Sequence, residues 1–98
     1  MPIIDTETVI SVSDDVLATT VEDEVVVLNQ ATGEYQGLSG VGTMVWELAA
    51  DPVAVSSILD SIETEYDDHP PGWRDEVVGF IEELVSEQLI EVVERPPT

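Results

Sequence analysis

The sequence predicts an α+β domain in which a small antiparallel sheet precedes three helices. Three observations carry this expectation. Runs rich in valine, threonine and isoleucine, separated by turn residues, fill positions 9–38. Apolar residues then recur at helical spacing through three further segments up to residue 88. Prolines at 52, 70 and 71 fall at the junctions between those segments, where they interrupt or start a helix.

Taken in order, residues 1–8 read as a flexible arm, and Val9 to Val12 alternates weakly. Ser13-Asp14-Asp15 is a turn. Val16 to Val21 is rich in β-formers and ends at Glu22-Asp23, which defines a strand. Glu24 to Leu28 holds three valines and a leucine in succession, a pattern suited to a central strand covered on both faces. Asn29 to Gly33 forms a hairpin loop, with Gly33 placed for a left-handed conformation at its end. Glu34 to Leu38 is the third strand. A meander of these three leaves it at the edge with unpaired amides and carbonyls.

Ser39 suits the N-cap of a first helix. Its stripe is Val41, Met44, Val45 and Leu48, with Trp46 on a flank. After the break at Asp51-Pro52, Val55, Ile58, Leu59 and Ile62 mark a second helix ending near Tyr66. Asp67 to Gly72 connects to a third helix from Trp73 to about Gln88, and Leu89 to Val93 is a short extended segment. Residues 94–98 read as a frayed tail, which leaves 9–93 as a single domain. Three strands, three helices and a closing strand describe a winged-helix-like arrangement.

The third helix is broader in its apolar face than one core requires. At about 100° per residue, Trp73, Val77, Val78, Phe80, Ile81, Leu84, Val85 and Leu89 sweep roughly half the circumference, against the ~100° stripe of an ordinary surface helix. Trp73 and Phe80 lie on one margin, Val78 and Val85 on the other. One margin is therefore available to a groove, beside the predicted free sheet edge.

Composition excludes several functions. Twenty-two acids face two bases, Arg74 and Arg95, for a net charge of −20. Such a surface repels phosphate backbones and anionic lipid, so nucleic acid and membrane are excluded as partners. The acids are scattered rather than gathered, as on a protein adapted to high salt, where a Debye length of about 3 Å at 1 M screens self-repulsion. There is no cysteine, and no apolar run long enough to span a bilayer. The first residues lack a signal-peptide pattern, so the expected location is cytoplasmic. His69 is the single histidine, set between Asp68 and Pro70, and reads as part of a solvated loop. The serines lack a histidine–carboxylate setting, and Gly40-Val41-Gly42 lacks a P-loop lysine. No enzyme activity, cofactor or metal site is expected.

Val26-Val27-Leu28-Asn29, Thr32-Gly33-Glu34-Tyr35 and Leu38-Ser39-Gly40-Val41-Gly42-Thr43-Met44-Val45-Trp46-Glu47-Leu48 occur in fixed order. With Glu65-Tyr66-Asp67 and the finish from Ile81 to Ile90, this set resembles the PqqD family of peptide chaperones, also called RiPP recognition elements. Ser39 stands where the family often has asparagine, and Gln88 where it often has glycine. The resemblance implies a non-catalytic adaptor that binds the leader segment of a ribosomally made precursor peptide. It would present that leader to a modifying enzyme such as a radical SAM protein or a leader peptidase. The leader adds as a strand along Glu34, Tyr35, Gln36, Gly37 and Leu38 and fills a cleft lined by Trp73, Glu76, Val77, Phe80, Ile81 and Leu84. Tyr35 and Trp46 themselves read as core side chains, and Gly37 as a point where a backbone can approach closely. The domain would act as a monomer or a strand-exchanged dimer. An acidic winged-helix regulator or inhibitor, binding a basic protein partner, is the alternative.

Overall fold

The computed structural model describes residues 4–22, 24–66 and 68–94. The central meander forms as its patterning requires: β2 (Val16–Val21), β3 (Glu24–Asn29) and β4 (Glu34–Leu38) are antiparallel in that order. Leu28 pairs with Leu17 on one side and Tyr35 on the other, and Val25 pairs with Thr20 and Leu38. Opposed residues of an antiparallel ladder share a face. One face therefore carries Val25, Val27 and Leu38 into the core. The other face carries Leu17, Val26, Leu28 and Tyr35 away from it. The expectation that β3 is covered on both faces is overturned, since Val26 and Leu28 are only half-buried. Gly33 ends the hairpin loop at φ +77°, as a left-handed turn position needs.

A second sheet gathers the rest of the extended chain. β1 (Val9–Val12) lies between β5 (Val53–Ala54) and β6 (Ile90–Glu94), all antiparallel. Ile10, opposite Val53 and Val92, is fully buried. The α+β class holds, with this second sheet added to the one that was anticipated. β5 spans two residues, too short for a period of two to register in sequence.

Residues 4–8 are docked, where a flexible arm was expected. Ile4 and Thr8 are buried. The turn is held locally: the Asp5 amide donates to Thr8 Oγ1 at 3.0 Å, and the Glu7 amide to Asp5 Oδ1 at 2.8 Å. The physical reason for docking lies at the start of α2 (Val55–Glu65), which has no side-chain cap. Its free amides are satisfied instead by this segment, Val55 N–H to Thr8 O at 2.9 Å and Ser56 N–H to Thr6 O at 2.8 Å. Residues 1–3 and 95–98 lie outside the described residues.

α1 (Val41–Leu48) starts one residue later than a serine cap would place it. Gly40 is the N-cap at φ +56°, without a side-chain cap bond, so Ser39 does not act as one. The Gly42 amide bonds the Ser39 carbonyl at 3.0 Å, and Thr43 Oγ1 donates to Leu38 O at 3.0 Å, tying the helix to the end of β4. Trp46 is buried, as anticipated. In α2 the expected stripe of Val55, Ile58, Leu59 and Ile62 is the buried face.

α3 (Trp73–Ser86) ends in a Schellman motif. The Gln88 amide bonds Val85 O and the Leu89 amide bonds Leu84 O, both at 3.0 Å, while Gln88 takes φ +65°. That left-handed position explains why a glycine would suit residue 88. Leu89 packs into the core beside Leu84. Among the described residues, no helix is long and apolar enough to cross a membrane.

Candidate functional site

Among the described residues β4 pairs with β3 alone, so its other side is an open edge. Period-two geometry sends Gln36 and Leu38 to the inner side and Tyr35 and Gly37 to the outer. On the inner side, a groove of about 480 Å³ separates β4 and the start of α1 from α3. Its apolar floor is Leu38, Ile62 and Val77. Phe80, Trp73, Val41 and Gly42 form the walls, and Tyr66, His69 and Pro70 stand at one end. Glu76 and Asp68 are the acidic residues on its lining.

Two glycines bear on this space differently. A Cβ on Gly42 would lie 3.2 Å from Phe80 Cζ and 3.6 Å from Leu38 Cβ. Its missing side chain therefore makes room for the Phe80 ring, which closes the groove against α1. Among the described residues no atom lies within 4 Å of a Cβ built on Gly37, so the outer face of β4 is open at that point.

Trp73 is held from two directions. His69 stacks on it with ring centroids 4.7 Å apart and planes 23° from parallel. The Arg74 guanidinium carbon sits 5.0 Å from the Trp73 ring centroid, and Arg74 is ion-paired with Glu63 of α2. His69 is thus part of the groove and not of a solvated loop. Its Nε2 is buried without a hydrogen-bond partner among the described residues. The aromatic face of Trp73 offers His69 more apolar cover than the Asp-His-Pro-Pro sequence suggested.

Outside the groove lining, Asn29 is one of two polar or charged residues buried among those described. Its Nδ2 donates to Glu87 O at 3.0 Å, and its Oδ1 accepts from the amides of Ala31 at 2.9 Å and Thr32 at 3.3 Å. One side chain therefore joins the β3–β4 hairpin to the C-terminus of α3.

Of the residues expected at the site, Gln36, Gly37, Leu38, Trp73, Glu76, Val77 and Phe80 come together on the groove. Ile81 and Leu84 do not. Both are fully buried, because at about 100° per residue they occupy the centre of the α3 stripe, which faces the core. Glu34 and Tyr35 stand beyond the groove at the start of β4. The expectation of Tyr35 as a core side chain is also overturned, since it is 74% exposed on the outer sheet face. Sequence reasoning missed Gly42, Ile62, Tyr66 and His69 as groove residues. The signal for Gly42 was a glycine inside a helical stripe, which asks for a packing reason.

A comparison with curated proteins finds no match. A solved structure described as "TbiB1 in Complex with the TbiA(beta) Leader Peptide" is similar, at 33% identity and a TM-score of 0.75. The similarity covers 83% of this chain and 94% of that one. The family described as coenzyme PQQ synthesis protein D matches residues 24–90, from β3 through the groove to the start of β6. That span is more than half of the sequence, and the chain belongs to the PqqD family.

Proposed function

We propose that this chain is a non-catalytic adaptor that binds the leader segment of a ribosomally made precursor peptide and presents it to a modifying enzyme. The observation that carries the reading is the open edge of β4 standing as one wall of an apolar groove. An extended peptide laid along β4 gains main-chain hydrogen bonds from the edge. Its alternate side chains then point into the space between Leu38, Val77, Phe80 and Trp73. This is strand addition, in which the backbone supplies affinity and the pockets supply selectivity. The leader-peptide complex of the similar structure supports it.

The adaptor has the features of a holder and not of a catalyst. The groove is mainly apolar, and its titratable residues Glu76, Asp68, Tyr66 and His69 are not arranged as a nucleophile with a base. A radical SAM protein or a leader peptidase, acting in the cytoplasm, is the kind of enzyme such an adaptor serves. The alternative, an acidic winged-helix regulator or inhibitor that binds a basic protein partner, finds no support in the family match or in the similar leader-peptide complex.

The experiment is a titration of isotope-labelled protein with the leader peptide of the precursor encoded beside this gene. Amide shifts should concentrate in 35–38 and 73–80. Saturation without any change in those two segments would overturn the proposal.

A further inference from the structure

The face of the main sheet that points away from the core carries apolar side chains on all three strands. Leu17, Leu28 and Tyr35 form one cross-strand row, and Thr19, Val26 and Gly37 the next. Leu17 is 57% exposed, Val21 54% and Tyr35 74%. β2 contains no charged residue in a chain with 22 acids. Scattered exposed leucines need no explanation, but a contiguous apolar face on so acidic a molecule does.

The patterning of β3 points the same way. Val25 to Leu28 is the run of a strand covered on both sides, yet among the described residues only Val25 and Val27 of that run are buried apolar side chains. What is missing is a cover for Val26 and Leu28. Around this face stand exposed Asp14 and Asp15 before β2, Glu22 and Glu24 at the β2–β3 turn, and Glu34 at the start of β4. No lysine or arginine occurs before Arg74, so no base from these strands offsets that rim. A second copy would bring an identical acidic rim against this one. A surface with an apolar centre and a basic rim would complement it.

We propose that the outer face of β2–β3–β4 docks the modifying enzyme through such a surface, leaving the β4 edge and the groove free for the leader. This rests on the adaptor function proposed above and names the face that the enzyme uses.

The test pairs Leu17→Thr/Val21→Thr with the wild type. Threonine keeps the strand propensity and removes apolar surface, and neither position touches the groove. The probes are the purified modifying enzyme encoded beside the precursor and, separately, the leader peptide. Enzyme affinity should fall by about tenfold or more in the variant, with leader affinity unchanged. Enzyme affinity of the wild type should also fall as salt rises from 0.1 to 1 M, where screening shortens to about 3 Å. Equal enzyme affinity for both proteins would overturn the proposal. So would loss of leader affinity in the variant, or sedimentation showing a wild-type dimer that the variant abolishes. A wild type that binds no leader would refute the adaptor reading instead, and is read in a separate titration.

Discussion

Replacing Phe80 by alanine separates a groove wall from a core side chain. A fully buried phenylalanine truncated to alanine costs about 3–5 kcal/mol. Phe80 is half-buried: its ring tip meets the Gly42 position and another part of it borders the groove. The stability cost should therefore be about half that figure, roughly 1.5–2.5 kcal/mol. A guest side chain seated against the open part of the ring loses its contact as well, worth about 1–3 kcal/mol, or roughly 5- to 150-fold in Kd. Urea unfolding gives the first quantity, and calorimetric titration with leader peptide, done where the variant is still folded, gives the second. Ile81→Ala is the control, because Ile81 is fully buried and outside the groove. It should lose about 2–5 kcal/mol of stability and little affinity. A Phe80→Ala protein that loses stability like Ile81→Ala but binds leader like the wild type would refute the reasoning.

Gly42→Ala forces the Phe80 ring to yield a few tenths of an ångström, and the open groove is the direction available. Stability should change by less than about 1 kcal/mol, because the helix gains propensity, while leader affinity falls. Titration and unfolding of that one variant check both. Asn29→Ala removes three hydrogen bonds and strands the Glu87 carbonyl, at a cost of about 2–4 kcal/mol by urea unfolding. Gln88→Gly relieves a left-handed non-glycine residue and should raise stability by about 1 kcal/mol. With a net charge of −20, the unfolding midpoint should rise between 0.1 and 1 M potassium chloride as self-repulsion is screened; a flat or falling midpoint would contradict this.

The elements that sequence made legible are those whose signal is local. Val55, Ile58, Leu59 and Ile62 carry their period on adjacent turns, and the structure buries that stripe. The excess width of α3 was likewise visible, and Trp73 and Phe80 do line the groove. What sequence hid depends on partners far along the chain. β1 pairs with β6 some 80 residues away, with Val12 opposite Ile90. Thr6 and Thr8 cap a helix that starts at Val55 through backbone carbonyls, which no side-chain pattern encodes. The run from Val25 to Leu28 described a two-sided strand, and the structure supplies one side. His69 looked solvated because its cover, Trp73, is contributed by the following helix.

The central claim is that an extended peptide pairs with the open edge of β4. Its most direct test is a search for cross-strand nuclear Overhauser contacts between leader main-chain protons and those of residues 34–38 in the saturated complex. The account predicts a ladder of such contacts along β4, with leader side chains reaching Val77 and Phe80. A bound leader that shows no main-chain contact to β4, while its side chains touch another surface, would contradict it.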